Sequence, residues 1–485
     1  MRCVTRGPER PARPDHTDTD TDRSRGGPDE PAEKGGQMNP HSDPGPVAVI
    51  GLGYVGLTLA VSLAREGTPV IGVEADPAVR AALAQRRTVL FEPGVDDLLA
   101  TLPADRFTVT DRLPDTPVRA VVVCVGTAVD PHTRLPDLRH LSAAVEQIAA
   151  HLNEETLVVL RSTVPVGTTR SLVLARLRER GIARPLLAVC PERTIQGRAL
   201  TELAALPQVI GGVDDRSARR AADLFGRLAP DQVIVSGLEA AEMVKLVCNA
   251  HTDLIYGFGN EVALMAHSLG VDAHEVINAA NLRYPRPDLS RPGFVGGSCL
   301  TKDPYLLMSA ADRAGYHPPM VAAARAVNER LPLFAVEQVL DGLATTGRDV
   351  GQARVLICGV AYKGSPETDD IRGSASVEVA RVLRGRVAQL RGHDFVVAPE
   401  RIGQAGFTPV GLDDGLTDAD AVVLLVDHPG YRQALSRGAL RERLRRPAVV
   451  FDMWGVLAEE LADAGDIDYR RLGVPGRMRG TPVSA

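Results

Sequence analysis

The chain has 485 residues, 44% of them hydrophobic and 24% charged, with a net charge of −6. That length predicts two or three domains with their own cores. The mild charge gives no electrostatic case for a nucleic-acid or anionic-membrane partner. Apolar runs such as Ala120–Val125 and Ala421–Val426 are strand-length, far short of the roughly 18 residues that span a bilayer. The six cysteines show no C-x-x-C and no metal-ligand spacing, so neither a metal site nor a disulfide framework is expected and the reading is cytoplasmic.

Residues 1–45 are rich in Pro, Asp, Arg, Thr and Gly and poor in large apolar residues. They read as a disordered tail without the apolar core of a signal peptide, and Met38 is an alternative start. Val47–Gly56, VAVIGLGYVG, is a buried strand running into G-x-G-x-x-G. Gly51, Gly53 and Gly56 would supply a tight turn, close approach to a pyrophosphate, and close helix–strand packing, with Tyr54 and Val55 between them. A helix follows, then a second strand whose Glu74 lies 23 residues past Gly51. A carboxylate there accepts from both ribose hydroxyls and repels a 2′-phosphate, so the cofactor is read as NAD.

Strands at Ala120–Val125, Leu157–Leu160 and Leu186–Val189 end in GTAVD, RSTVPVGTT and CPERTIQG. Ligands of a parallel sheet bind beyond the carboxyl ends of its strands, where Thr127, Thr163 and Glu192 would stand. The opposing reading makes Thr163 and Thr168 helix caps and Glu192 a loop acid. Ala240–Leu269 is a long proline-free helical pattern in which Lys245 and Asn249, four apart, share a face. After a proline-rich stretch comes RPGFVGGSCLTKDPYLL (Arg291–Leu307), where Gly293, Gly296 and Gly297 precede one thiol, Cys299, with Lys302 and Asp303 just beyond. An ammonium group beside a thiol favours the nucleophilic thiolate. The plain alternative is a glycine-rich surface turn. A second α/β unit begins near Arg354; its first turn lacks the full glycine fingerprint and is followed by Lys363, Asp369, Asp370 and Arg372.

GLGYVGLTLA, FEPGVDDLL, VCVGTAVD, STVPVGTT, CPERTIQG, AEMVKLVCNA with GNE (Gly259–Glu261), GGSCLTKD and AYKG…TDDIRGS follow one another in this order. Together they resemble the UDP-glucose/GDP-mannose dehydrogenase family. The resemblance implies an α/β fold with two Rossmann-like doubly wound domains joined by a long central helix and a helical middle domain. The expected layout is a tail (1–45), an NAD-binding domain (46–235), a helical dimerisation domain carrying the Cys loop (236–345), a UDP-sugar-binding domain (346–475) and a frayed end (476–485).

It also implies a four-electron, NAD-dependent oxidation of a UDP-sugar C6 alcohol to a uronic acid, serving polysaccharide biosynthesis. Cys299 would carry a thiohemiacetal and then a thioester. Lys245 and Asn249 would stabilise the oxyanion, Asp303 with Thr163 would hold the hydrolytic water, and Glu192 would do general acid/base work. NAD would contact Gly51, Gly53, Tyr54, Val55, Gly56, Glu74, Thr127, Thr163 and Lys302. The sugar nucleotide would contact Glu192, Arg193, Lys245, Asn249, Arg286, Gly293, Phe294, Gly296, Gly297, Lys363 and Arg372. The partner expected beyond substrate is a second copy of the chain, in a homodimer or higher oligomer.

Three positions depart from the family pattern: Ala128 where proline is usual, Gln196 where the UDP-glucose branch has a second glutamate, and Trp454 where arginine is frequent. Arg193, Pro285 and Arg286 resemble the UDP-N-acetylhexosamine branch, notably UDP-N-acetyl-D-mannosamine dehydrogenases, whereas Ser298 resembles the UDP-glucose branch. A two-electron hydroxyacid dehydrogenase and a non-catalytic nucleotide-sugar-binding protein remain as other classes, separable by counting NADH per sugar.

Overall fold

The computed structural model describes residues 45–462 and 465–475. The tail expected over 1–45, but for its last residue, and the frayed end at 476–485 lie outside the described residues, as do Cys3 and Met38. In the first half, strands β1 (Val47–Ile50), β2 (Val70–Val73), β3 (Phe107–Thr110) and β4 (Ala120–Val123) are followed by a two-residue ribbon, β5 (Ala128–Val129) and β6 (Pro136–Asp137). Then come β7 (Leu157–Leu160), β8 (Leu186–Val189), β9 (Gln208–Gly212) and β10 (Gln232–Ile234). The sheet order is β10-β9-β8-β7-β4-β1-β2-β3, parallel throughout except where β8 meets β9. Strands β1, β4, β7 and β8 are buried along their whole length. Helices cover both faces of such a sheet, which is why these strands read as unbroken apolar runs.

The second half repeats the plan. Strands β11 (Arg354–Cys358), β12 (Gln389–His393), β13 (Thr408–Pro409), β14 (Ala421–Leu424), β15 (Ala448–Asp452) and β16 (Ile467–Arg471) form an all-parallel sheet ordered β13-β12-β11-β14-β15-β16. From β3 to β8 in the first sheet and across all of the second, the order follows the doubly wound plan, 3-2-1-4-5-6.

Two long helices, Leu238–Leu269 and Pro319–Thr345, stand between the sheets. The first has 32 residues and ends on Gly270, whose φ of +74° closes the helix in the left-handed region. At 1.5 Å per residue it runs about 48 Å. The second continues through the buried Pro332. One apolar cluster joins this helix pair (Ala263, Leu331, Phe334, Val339) through Phe294 to the second sheet (Val355, Phe451, Met453). The Cys299 loop is therefore packed against the core of the helices and the second sheet together. Among the described residues, no helix is long and apolar enough to cross a membrane.

Candidate active site

A cleft of about 1730 Å³ runs along the carboxyl ends of both sheets and past the Leu238–Leu269 helix. Its first end is the glycine turn after β1. Gly51 has φ +87°, and a Cβ there would stand 3.3 Å from the Cys124 carbonyl. A Cβ on Gly56 would fall 1.8 Å from the Gly51 oxygen, whereas one on Gly53 would meet nothing within 4 Å. The outer two glycines thus close the turn and seat the helix, and the middle one leaves an open backbone face for a diphosphate.

Beyond β2, Glu74 accepts from Leu52 N (2.7 Å) on one oxygen and Asp76 N (2.9 Å) on the other. A carboxylate offers about four acceptor positions, so two remain for ribose hydroxyls. Asp394 occupies the corresponding place after β12, but Val360 N, Ala361 N, Val396 N and Val397 N take all of its capacity. Of the two turns, only the first keeps an acid free for a ribose. The residues present fit NAD.

Tyr54 and Val55 line the cleft. The Tyr54 hydroxyl donates to Asp369 of the second α/β unit, and burial together with that carboxylate holds the phenol protonated. Asp369 also accepts from Phe91 N (3.3 Å) and Arg401 Nη1 (2.6 Å). Thr127 donates to the Thr163 carbonyl (2.5 Å), tying together the loops after β4 and β7.

At the middle of the cleft are Thr163, Glu192, Lys245, Asn249 and Cys299. Lys245 is 7% exposed, and its ammonium group makes no hydrogen bond or ion pair among the described residues. Asn249 Nδ2 donates to Asp303 Oδ2 (2.5 Å), and Lys302 Nζ donates to Asp303 Oδ1 (2.6 Å). Asp303 is fully buried and is not among the residues lining the cleft. Its oxygens face Asn249 and Lys302, an orienting role that differs from the water-holding role expected of it. The Lys302 ammonium expected to serve the thiol is thereby committed to Asp303. Arg372 and the Tyr362 phenol lie within reach of the Cys299 sulfur electrostatically. Cys299 itself is exposed.

Glu192 is fully engaged. Arg161 Nε (3.1 Å) and Nη2 bind one oxygen, and Arg193 N (2.7 Å) and Thr194 N (2.8 Å) bind the other. Burial alone would raise its pKa; Arg161, the Thr194 amide and nearby Lys245 reverse that and hold the carboxyl below its ordinary range. A carboxylate held below its ordinary range and saturated with donors is poorly suited to the general acid/base role expected of Glu192 and well suited to balancing the charge of Lys245.

The second α/β unit closes the cleft. Lys363 Nζ donates to the Gln196 carbonyl (2.7 Å), Gln196 Nε2 donates to Asp370 (3.1 Å), and Arg372 grips Asp370 through two nitrogens (2.9 and 2.7 Å). Burial pulls the Lys363 pKa down to about 8 despite Glu92 nearby.

The loop glycines have a reason the sequence does not display. A Cβ on Gly293 would lie 2.2 Å from the Trp454 ring, on Gly296 2.5 Å from the Gly373 carbonyl, and on Gly297 (φ +88°) 2.7 Å from the Tyr362 ring. They admit the opposing wall of the protein. Gly296, Gly297 and Phe294 line the cleft, whereas Gly293 does not.

Residues 46–229 match the NAD binding domain of the UDP-glucose/GDP-mannose dehydrogenase family, residues 239–330 its central domain, and residues 356–459 its UDP binding domain. The chain belongs to this family. It is an NAD-dependent nucleotide-sugar dehydrogenase. UDP-N-acetyl-D-mannosamine dehydrogenase of Pyrococcus horikoshii is 34% identical over 395 residues, covering 80% of this chain and 90% of that one. NDP-N-acetyl-D-galactosaminuronic acid dehydrogenase of Ralstonia solanacearum is 32% identical over 402 residues, covering 80% and 92%. Among solved structures, the UDP-D-ManNAc dehydrogenase of Pyrococcus horikoshii superposes with a TM-score of 0.79 at 30% identity, covering 88% of this chain and 99% of that one. A UDP-glucose dehydrogenase of Pyrobaculum islandicum gives 0.77 at 28%, covering 90% and 100%.

Two residues expected at the substrate of this dehydrogenase stand differently. Arg286 is exposed, stacked over the Tyr284 ring at 5.1 Å, and is not among the residues lining the cleft. Arg193 reaches the cleft wall, but its guanidinium donates to the Pro207 carbonyl. Conversely, Arg161, Tyr362 and Arg401 line the cleft without having been singled out from sequence. Arg161 carried one usable signal: a charged residue directly after the wholly apolar strand β7. Thr168 makes no side-chain cap; the turn after it is capped by the buried Glu242, which accepts from Gly167 N and Thr169 N.

Proposed function

We propose that this chain is a UDP-N-acetylhexosamine 6-dehydrogenase, with UDP-N-acetyl-D-mannosamine as its substrate, working through a covalent Cys299 intermediate. The observation that carries the reading is the one cleft that sets Cys299, Lys245 and Asn249 between the glycine turn after β1 and the Tyr362–Gly373 segment of the second unit. The relatives named above as N-acetylhexosamine dehydrogenases support the sugar class. Gln196 supports it too: the glutamate of the UDP-glucose branch would place a second carboxylate against Asp370.

NAD+ supplies, when bound, the hydride acceptor for each of the two oxidations. The Lys245 ammonium, on a largely buried side chain that lines the cleft and without a hydrogen-bond partner among the described residues, stabilises negative charge developing on the C6 oxygen. Asn249, held by Asp303, orients that oxygen. The Cys299 sulfur adds to the aldehyde carbon, and oxidation of that adduct leaves a thioester. Water then attacks the acyl carbon; the C–S bond breaks, and carboxylate and thiol are released. Thr163 lines this part of the cleft and is the group we assign to the water.

The Leu238–Leu269 helix exposes Met243, Val247, Ile255, Phe258, Met265 and Leu269 at helical spacing, an apolar stripe that a second copy of the chain would cover in a homodimer. The five described cysteines are all free, which fits a reducing compartment such as the cytoplasm.

The test is to assay the purified protein with UDP-N-acetylmannosamine, UDP-N-acetylglucosamine, UDP-glucose and GDP-mannose, following NADH. Two NADH per sugar and preference for the first substrate are expected. One NADH per sugar would overturn the four-electron reading. Cys299→Ser should release no carboxylate; unchanged carboxylate production would overturn the covalent step.

A further inference from the structure

The chemistry above makes no use of a buried polar ladder beneath the Cys299 loop. Asn260, on the Leu238–Leu269 helix, grips Gly293 with both ends of its amide: Oδ1 accepts from Gly293 N (2.8 Å) and Nδ2 donates to Gly293 O (3.0 Å). The same Nδ2 donates to Asn328 Oδ1 (2.8 Å), on the Pro319–Thr345 helix. Asn328 Nδ2 donates to Asp253 O (2.9 Å) and Oδ1 (2.8 Å). Asp253 Oδ1 pairs with Arg325 Nη1 (2.6 Å), and that nitrogen also donates to the carbonyl of Leu300 (2.7 Å), the residue after Cys299. All four side chains are at most 1% exposed. The ladder therefore begins at one end of the thiol loop and finishes at the other.

Stability does not account for it. A buried Arg–Asp pair costs so much desolvation that well-packed apolar side chains of similar volume usually do as well or better. Arg325 Nε and Nη2 and Asp253 Oδ2 are buried without hydrogen-bond partners among the described residues, which adds to the cost. What an apolar pair could not do is direct a hydrogen bond at Leu300 O. Between the anchors lie Gly296 and Gly297, whose backbones have the widest conformational freedom, and an error of about 1 Å in placing a reacting atom can cost roughly 100-fold in rate.

We infer that Asn260 and Arg325 are positioning residues that place the Cys299 thiol by holding the two ends of its loop. The inference rests on Cys299 being the covalent nucleophile. Arg325→Met/Asp253→Leu removes both buried charges together, and Glu329, which also lies 3.7 Å from Arg325, is partly exposed and keeps Arg134 at 3.3 Å. The variant should unfold within a few degrees of the parent. Carboxylate release should fall roughly 10–100-fold, aldehyde trapped by hydroxylamine should appear, and NADH per sugar should drop below two. Alkylation of Cys299 by iodoacetamide, followed on its own peptide, should change in rate. Asn260→Asp, of nearly equal size but without the amide donors, gives the same readouts if the double variant does not fold. A folded variant that makes carboxylate at the parental rate with two NADH per sugar overturns the inference. If Cys299→Ser still makes carboxylate, it is the covalent reading that falls instead.

Discussion

Replacing Arg161 by methionine tests the electrostatics at the centre of the cleft. Arg161 is 1% exposed and binds Glu192 through two nitrogens, while its Nη1 donates to Cys190 O (3.1 Å) and Gln208 Oε1 (3.3 Å). Removing one partner of such a buried pair costs about 3–5 kcal/mol, because the other charge remains uncompensated. The pH dependence identifies the cause. In the parent, the Glu192 pKa lies below its unfolded value, so its contribution is present above about pH 4.3 and is lost as the pH falls through the folded pKa. Without Arg161, burial dominates and lifts the folded pKa above the unfolded one. The folded state then holds the extra proton, and stability falls as the pH rises through that window, by at most about 1.4 kcal/mol per unit. Urea unfolding from pH 5 to pH 8.5 should show a loss for Arg161→Met that grows with pH. Arg161→Met/Glu192→Gln, which removes the orphan charge, should recover at least half of it at pH 8. A loss independent of pH, or a double variant weaker than Arg161→Met, would refute the reasoning.

Lys363, with its pKa lowered to about 8 by burial, loses its proton more readily in the folded chain than in the unfolded one, so the unliganded protein should gain stability between about pH 8 and pH 10.4. A diphosphate beside it would restore the charge; calorimetry of UDP binding at pH 8.5 in buffers of different ionisation enthalpy should show proton uptake that Lys363→Met abolishes. Glu74→Ser removes a carboxylate whose repulsion of a 2′-phosphate is about 4 kcal/mol at 4 Å in a partly solvated site, so the kcat/KM preference for NAD+ over NADP+ should narrow by up to roughly 1000-fold. Gly297→Ala adds a left-handed strain of about 1–2 kcal/mol to a clash with Tyr362, and Tyr362→Ala in that background should relieve only the clash, as read by a double-mutant cycle of unfolding free energies.

What could be read from sequence was what is local. The strand, glycine turn, helix and acid of Val47–Glu74 are adjacent in the chain, so their pattern and their geometry are nearly the same information. The Lys245–Asn249 face was legible because helical spacing alone decides it. The ladder under the Cys299 loop was not, since Asn260 and Asn328 are 68 residues apart and Asp253 and Arg325 are 72 apart. The glycines of that loop were seen, but a sequence shows only that a Cβ is missing, not that Trp454 and Tyr362 fill its place. Arg161 and Arg193 follow strands in similar fashion; nothing in the sequence says that one turns to Glu192 and the other to the Pro207 carbonyl. Asp303 stands four residues past Cys299 in the chain, but its burial behind Lys302 and Asn249 depends on how a neighbouring helix packs.

The contacts of Asp369 bear on how the two α/β units are joined at the dinucleotide end of the cleft. Tyr54 and Phe91 N reach this carboxylate from the first sheet, and Arg401 reaches it from the second. The thiol loop is moored elsewhere, on the two long helices and, through Gly297 N to the Gly373 carbonyl (3.1 Å), on the second unit. Lys363 on the Gln196 carbonyl and Gln196 on Asp370 join the two units beside Asp369. On the covalent reading proposed above, loosening this seam would therefore free the dinucleotide end of the cleft while a sugar bonded to Cys299 stayed on a separate mooring.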